Sequence, residues 1–305
     1  MKQKIDFRKL GTEDGLGRFD ENENVFEIHS PHALTQVIGY IKFKYNDGPV
    51  LFRGQGKNYQ TMKPSLLRDS DTLNSFFRRS EKLYEYILQL IDNKVFMDST
   101  TPIAYEPILQ HYGIKTTWLD LVDNIWTALW FASYSAHATG PADKYMHYEI
   151  SKNEFSYISI LYFGKIENTL RESTKRRIKK LYKYKNIPTY KIEYPSYPFF
   201  ETEKYTLIDL RYMTPSLYRR PHSQHAMLAR RTAFLSDSDI DYNDSKICTL
   251  KIRTSSAIEW IGNGMLSKVH FMFPPPIYDP GYKLFLDKGI DPEDKRLGSI
   301  QHIGA

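Results

Sequence analysis

The sequence predicts an α+β fold in which a helix-rich N-terminal half packs on a mixed or antiparallel sheet formed mainly by the C-terminal half. Two observations support this prediction. Before residue 133, apolar residues recur at helical spacing in successive segments, whereas later segments rich in β-branched and aromatic residues are typical of strands. Helices and strands do not alternate regularly along the chain, which disfavours a sheet built from βαβ units.

The first two helices are predicted from capping residues and apolar stripes. Ser30 is a good N-cap and Pro31 suits a first helical turn, so a helix is expected over residues 31–44. A second amphipathic helix is expected over residues 80–96, where apolar residues recur every three or four positions.

Two further helices are predicted before residue 133. Thr101 and Pro102 begin the third, and Gly113 is well placed to end it. Asp123 or Asn124 caps the fourth, which is apolar nearly all round and is therefore expected in the core.

Strands are predicted in four places. A short apolar run before Arg53 reads as the first, and residues 156–163, 205–210 and 246–252 read as three later strands.

Length and composition favour one large domain. The chain has 305 residues, of which 41% are hydrophobic and 14% aromatic, enough to bury a core. Residues 1–24 are polar and are predicted to be a loosely held lead-in, and residues 25–305 to form a single domain.

One cysteine, Cys248, excludes an intramolecular disulfide and suits a reducing cytoplasm. No apolar run is long enough to span a membrane, so no membrane partner is expected.

The positive charge is concentrated in one segment. The net charge is +6, and residues 171–185 carry eight basic residues against the single acid Glu172. The segment is predicted to be a basic helical insertion, over about 168–185. Its cations at Arg176, Arg177, Lys179, Lys180 and Lys183 are candidate phosphate contacts of a nucleic acid, and a solvated surface helix is the alternative.

The run Leu51-Phe52-Arg53-Gly54-Gln55 places an arginine at the end of a strand and beside glycine. A guanidinium offers a planar set of donors for phosphate or carboxylate, and Gly54 leaves room for a ligand near the backbone. The alternative is a structural arginine paired with a buried carboxylate such as Asp120.

A second polar segment runs from Gln110 to Asp120. His111 and Tyr112 stand at a predicted helix end and are candidates for proton transfer or ribose contacts, or for bonds to buried backbone groups. Thr117 and Asp120 precede the core helix; Asp120 is a candidate catalytic carboxylate and equally a capping or core-pairing group.

Together these segments resemble the FRG domain, a family of mostly bacterial proteins named for the Phe-Arg-Gly motif. The resemblance covers residues 50–132, the expected motif core, and includes Pro64-Ser65-Leu66-Leu67-Arg68 and the Gln-His-Tyr-Gly of residues 110–113. Thr117-Trp118 stands where the family usually has an arginine before Leu-Asp. A later family element around Gln224 is only approximated, with Ala226 for glycine and Leu228 for phenylalanine.

The layout is also similar to that of ADP-ribosyltransferases, which hold NAD in a cleft of a split sheet. The resemblance implies NAD as substrate, bound by Arg53, Gly54, Gln55, Thr117 and Gln224. It implies catalytic roles for His111, Tyr112, Asp120 and a late acid, for which Glu259 is the choice among several glutamates. It also implies a nucleic-acid or protein acceptor and a toxin or phage-defence context.

The alternative function is a noncatalytic nucleic-acid or nucleotide-binding module that uses the helix 171–185. No metal is expected, because His222 and His225 lack nearby carboxylates in a metalloenzyme pattern. The absence of a P-loop, a dinucleotide fingerprint and a Gly-x-Ser-x-Gly elbow disfavours nucleotide hydrolases and serine hydrolases.

Overall fold

A computed structural model describes residues 5–12, 15–69, 72–167, 175–176, 179–180, 183, 199–264 and 267–303. Its strands are β1 (Gly17–Asp20), β2 (Val25–Ile28), β3 (Val50–Gln55), β4 (Leu119–Val122), β5 (Tyr134–Thr139), β6 (Tyr145–Ile150), β7 (Phe155–Tyr162), β8 (Phe199–Glu201), β9 (Tyr205–Asp209), β10 (Ala226–Arg231), β11 (Lys246–Arg253) and β12 (His302–Ile303). Its helices are α1 (Phe7–Thr12), α2 (Pro31–Lys44), α3 (Leu73–Asp92), α4 (Tyr105–His111), α5 (Ile125–Ser133), α6 (Leu210–Met213), α7 (Arg219–Ser223), α8 (Thr254–Ile261), α9 (Val269–Met272) and α10 (Pro280–Lys288).

The centre of the fold is a nine-stranded mixed sheet with the order β1-β2-β11-β7-β3-β4-β10-β9-β8. Within the described residues of this sheet, β2 and β11 alone pair in parallel, and the other neighbours are antiparallel. A small second sheet has the order β12-β6-β5. The predicted α+β class with a mixed sheet is therefore confirmed, and β7 to β11 of the large sheet come from the C-terminal half.

The large sheet divides its core between two faces. Phe52 of β3 packs in one apolar cluster with α2 and α5, whereas its neighbour Leu51 packs in another cluster with Leu161. Successive strand residues point to opposite faces, which explains this division. On the same face as Phe52, the other half of the sheet packs against α3, α4 and α10. The two groups of helices on this face thus meet over β3 and β4.

The caps of α2 and α5 follow the sequence prediction. The Ser30 hydroxyl accepts the Ala33 N–H at 3.1 Å, and α2 ends at Lys44. The Asn124 side chain accepts the Trp126 N–H at 2.8 Å, so Asn124 and not Asp123 caps α5. Both caps satisfy backbone donors that a helix start leaves without partners.

Helix α3 begins and ends earlier than the predicted span of 80–96. Thr72 caps it by accepting the Ser75 N–H at 3.3 Å, and Phe76 extends the apolar stripe by one turn. The helix ends at Asp92, and Lys94 then adopts a positive φ of 54°. The boundary prediction was wrong because Val95 and Phe96 are apolar core residues that follow the helix.

The described part of residues 1–24 contributes to the core, which differs from the loosely held lead-in expected. Ile5, Phe7 and Leu10 are buried, and the Phe7 ring stacks on Phe19 at 5.0 Å. Single apolar residues among charges were enough to attach α1 to β1. None of the helices within the described residues is long and apolar enough to cross a membrane.

Candidate functional site

The large sheet opens between β3 and β4. These strands share one registered pair, Phe52 with Val122, whereas β3 pairs with β7 along its whole length. Beyond Phe52, the Arg53 side chain takes over the connection: its Nη1 donates to the main-chain carbonyl of Asp120 at 3.3 Å. The structural alternative for Arg53 is thus partly realised, but through the Asp120 backbone and not through its carboxylate.

A cavity of about 330 Å³ lies at this opening. Volumes of this order are typical of small-ligand sites. Its lining combines charged and amide side chains with backbone from several separate parts of the chain. The lining residues are Phe52, Arg53, Gly54, Ser65, Arg68, Gln110, Gly113, Ile114, Lys115, Asp120, Leu121, Val122, Phe131, Ala142, Asp143, Met146, Gly298 and Gln301.

Three cations line the cavity: Arg53, Arg68 and Lys115. Burial, followed by repulsion from Arg68, lowers the pKa of Arg53 to about 10, so the guanidinium remains charged at neutral pH. Neither arginine forms an ion pair with a carboxylate of the described chain, and Arg68 is exposed at the rim. Two unpaired guanidiniums that repel each other favour a bound anion that contacts both.

A carboxylate and an imidazole stand beside the cations. The Asp120 carboxylate lines the cavity, and its Oδ1 lies 3.9 Å from His111 Nε2. The His111 ring is buried, and its Nδ1 lies 2.9 Å from Gln224 Oε1. The structure therefore brings together four of the predicted site residues: Arg53, His111, Asp120 and Gln224.

Two glycines have steric roles at this site. A Cβ on Gly54 would lie 1.9 Å from the carbonyl oxygen of Ala128, so Gly54 lets α5 pack directly on β3. Gly113 has a φ of +107°, and a Cβ there would lie 2.4 Å from Gln301 Cγ. Gly54 also lines the cavity, but close helix packing is the stronger reason for glycine at this position.

The C-terminal segment closes one side of the cavity. Lys115 N–H donates to the Leu297 carbonyl at 2.7 Å, and Gln301 N–H donates to the Tyr112 carbonyl at 2.8 Å. Residues 297–301 thus run beside the loop that follows α4, and they place Gly298 and Gln301 in the cavity wall.

Two predicted site residues of this loop point away from the cavity. The Tyr112 hydroxyl donates to Asp279, 3.0 Å from Oδ2, and its ring is fully buried and stacked on Tyr282. The Thr117 hydroxyl donates to Glu106 Oε1 at 2.5 Å, and its N–H donates to the same oxygen. This geometry favours structural roles for both residues.

Gln55 and Glu259 also lie outside the cavity lining. Gln55 pairs with Tyr157 at the end of β3 and is half-buried. Glu259 is exposed on α8. The structure does not bring Glu259 to the other predicted catalytic residues; among the predicted catalytic carboxylates, Asp120 is the one that lines the cavity.

Only part of the predicted basic helix is described. Lys175, Arg176, Lys179, Lys180 and Lys183 have helical backbone, whereas Arg177 lies outside the described residues. Lys180 Nζ lies 4.4 Å from the centre of the Tyr84 ring on α3. Arg176, Lys179, Lys180 and Lys183 are exposed and follow i, i+3, i+4, i+7 spacing, which places them on one helix face.

Six polar side chains of the cavity were not selected from the sequence. Four of them stood in recognised motifs, and that position was the available signal: Ser65, Arg68, Gln110 and Lys115. Asp143 and Gln301 had no such signal, because tertiary structure brings the loop after β5 and the C-terminal segment to the cavity. Ala142 and Asp143 have positive φ values of 52° and 59°, a strained backbone of the kind that occurs at functional sites.

A second charged cluster lies at the other end of β4. The Arg211 Nη2 is 2.6 Å from both Asp123 Oδ2 and Asp209 Oδ2, and Nη1 is 3.1 Å from His225 Nδ1. Hydrogen bonds to both carboxylates raise the pKa of Arg211. The charges of this cluster satisfy one another. Among the described residues, no three His, Cys, Asp or Glu side chains are placed to hold a metal ion.

Fold and site define an α+β protein with a charged cavity at an opening in its mixed sheet. Residues 48–140 match the family model of the FRG domain, so the chain contains an FRG domain. The match includes Arg53, Arg68, His111, Lys115 and Asp120. The comparisons with curated proteins and with solved structures found no match.

Proposed function

We propose that this FRG-domain protein is an enzyme that binds NAD in the cavity at the β3–β4 opening and transfers its ADP-ribose group. One observation carries the proposal: the guanidiniums of Arg53 and Arg68, which form no ion pair within the described residues, share a cavity with the Asp120 carboxylate, and the buried His111 Nε2 lies 3.9 Å from that carboxylate. A pyrophosphate supplies the anion that two arginines favour. The opening between β3 and β4 is consistent with the split sheet that the ADP-ribosyltransferase-like layout implies.

To catalyse this reaction, the protein must position the ribose and the acceptor and stabilise the positive charge that develops on the ribose. The bond between ribose C1′ and the nicotinamide nitrogen breaks, and neutral nicotinamide leaves with the bonding electrons. A bond then forms from C1′ to an acceptor oxygen, whose proton passes to the protein. Asp120 stabilises the cationic ribose centre and receives that proton with His111. The acceptor is water, a protein or a nucleic acid, and a toxin or phage-defence effector is the corresponding biological role.

The test is incubation of the purified protein with NAD labelled in the ADP-ribose part, following nicotinamide release and label transfer. Asp120→Asn keeps the shape of the side chain and is expected to lower the rate by roughly 10²–10⁴-fold, the usual contribution of proton transfer. Asp98→Asn, an exposed change after α3, is the matched control. No turnover by the wild type, together with no NAD-dependent thermal shift, would refute the proposal. Loss of activity in Glu259→Gln but not in Asp120→Asn would return the catalytic role to Glu259.

A second candidate function is nucleic-acid binding by the basic helix, either alone or as the way an acceptor is held. The exposed cations Arg176, Lys179, Lys180 and Lys183 on one helix face support it. Such a face is suited to follow a line of phosphates.

Reversal of charge at Lys179, Lys180 and Lys183 to glutamate tests this candidate. Loss of three phosphate contacts should reduce the slope of log affinity against log salt by about 2–3 for duplex DNA. A control with glutamate at the exposed Lys268, Lys283 and Lys288 carries the same change in net charge. Equal salt dependence in both variants would show that the helix has no specific part in binding.

A further inference from the structure

We propose that Gln224 is a positioning residue that holds His111 as a hydrogen-bond acceptor and proton acceptor facing Asp120. The proposal rests on the proposed function for its chemistry, but the arrangement of the side chains stands independently of NAD. Gln224 lies outside the FRG match, on the loop after α7, whereas His111 lies inside the match, at the end of α4.

The orientation of the Gln224 amide follows from its surroundings. Its Nε2 donates to the main-chain carbonyl of Met272 at 2.8 Å, and the Gln224 side chain is buried. The reverse orientation would place two acceptor oxygens 2.8 Å from each other. Gln224 Oε1 is therefore the atom that faces His111.

The Gln224 oxygen decides which ring nitrogen of His111 carries the proton. Nδ1 lies 2.9 Å from Oε1, and an acceptor at that distance requires an N–H on Nδ1. In neutral imidazole the other nitrogen, Nε2, then carries a lone pair. Nε2 is buried and has no hydrogen-bond partner among the described residues, and Asp120 Oδ1 lies 3.9 Å from it.

Two backbone contacts hold the pair in place. Arg220 Nη1 donates to the His111 carbonyl at 3.1 Å, and Arg53 Nη1 donates to the Asp120 carbonyl at 3.3 Å. Arg220 is completely buried and stacks on Tyr282, with 3.7 Å from its central carbon to the ring centre. The main chain on both sides of the 3.9 Å gap is thus fixed by arginine side chains.

A lone pair on Nε2 and a carboxylate oxygen face each other across this gap, and both accept hydrogen bonds. The arrangement is favourable when a donor or a proton lies between them, as a ligand hydroxyl or amide provides. A ribose hydroxyl satisfies this requirement. When Asp120 takes the acceptor proton, Nε2 is the base that can share it. Gln224 therefore selects donor groups in the ligand and keeps the pair ready to receive one proton.

The test is the tautomeric state of His111, read from long-range ¹H–¹⁵N NMR spectra of the full chain at a pH where the ring is neutral. Wild type should show a proton on Nδ1. Gln224→Met has a similar volume but offers no acceptor, and it should shift the population towards a proton on Nε2. Gln36→Met, at an exposed position of α2, is the matched control and should leave the spectrum of His111 unchanged.

Activity gives a second readout. Gln224→Met should lower kcat for nicotinamide release by about ten-fold or more, while KM stays similar. This decrease in kcat is smaller than the decrease expected when proton transfer is lost completely.

The outcomes separate the two proposals. A proton on Nε2 in the wild type, or an unchanged tautomer in a folded Gln224→Met protein, would overturn the positioning role whatever the activity. If Gln224→Met does not fold, the wild-type spectrum still decides. Absence of NAD turnover with the expected tautomers would refute the proposed reaction alone.

Discussion

Arg53 donates a hydrogen bond from Nη1 to the main-chain carbonyl of Asp120, 3.3 Å away, at the place where β3 and β4 separate. A side chain thus replaces the strand-to-strand ladder at the centre of the large sheet. Its remaining donors make no other hydrogen bond within the described chain and stay available to the cavity. The same arginine therefore holds the sheet together and offers charge to a ligand, so its removal affects both stability and binding.

Gly54→Ala should destabilise the protein strongly. The added Cβ would lie 1.9 Å from the Ala128 carbonyl oxygen and 2.7 Å from the Ala132 nitrogen, both backbone atoms of α5. Separation of α5 from β3 should cost about 1–3 kcal/mol or more in the free energy of unfolding, measured by chemical denaturation. Gly39→Ala, inside α2 with open space around it, should instead stabilise by about 0.5–1 kcal/mol. Similar effects of the two changes would contradict the packing described.

Arg68→Ala should weaken anion binding without lowering stability. Arg68 is exposed, so its truncation removes little packing, whereas loss of one charge-assisted contact should weaken pyrophosphate binding by about ten-fold or more. Calorimetric titration with pyrophosphate measures the affinity. Arg78→Ala, an exposed change on α3, controls for net charge. Equal affinities of the two variants would remove Arg68 from the binding site.

Tyr112→Phe should lower stability and spare NAD turnover. The lost hydroxyl donates to the buried Asp279, which keeps the N–H groups of Arg220 and Tyr282 as donors. The free energy of unfolding should fall by about 1–3 kcal/mol. Turnover measured well below the melting temperature separates the two effects. A large loss of kcat with unchanged stability would give Tyr112 the catalytic role predicted from the sequence.

Acid should destabilise the protein through Asp123. Burial alone would raise its pKa, but hydrogen bonds from His225 and Arg211 outweigh burial and hold the pKa below the ordinary value of 3.8. The stabilisation is therefore complete above pH 3.8 and is lost as the pH falls through the lower pKa of the folded state. Between neutral pH and pH 3, the free energy of unfolding measured from denaturation curves should fall less in Asp123→Asn than in wild type. Asp98→Asn should behave like wild type.

Local sequence signals predicted the elements whose boundaries depend on neighbouring residues. Ser30 and Asn124 have cap side chains that bond within their own first turn, so α2 and α5 were predicted correctly from the sequence. The strands β7 and β9 are rich in β-branched and aromatic residues, and β11 has β-branched residues in alternation. In contrast, β5 and β6 are rich in Tyr, His and Ala and lie half-exposed, so their pairing depends on register across the turn at residues 140–144.

The site was predictable only as far as its residues belong to recognised motifs. Arg53, His111 and Asp120 come together as expected because the FRG segment brings β3, α4 and β4 side by side. The direction of Tyr112 was not predictable, because it depends on Asp279, 167 positions away in sequence. The position of Glu259 depends on how α8 packs, which a strand-like segment before it does not indicate.

The position of the FRG segment within the sheet has a consequence for fragments of this protein. Residues 48–140 supply β3 and β4, but the outer partner of β3 is β7 and the outer partner of β4 is β10, both encoded beyond residue 140. A fragment cut at the family boundaries would leave the backbone N–H and C=O groups of two central strands unpaired. Exposed strand edges of this kind promote aggregation. The FRG segment is therefore inseparable from the rest of the sheet, and activity is expected from the longer chain and not from the segment alone.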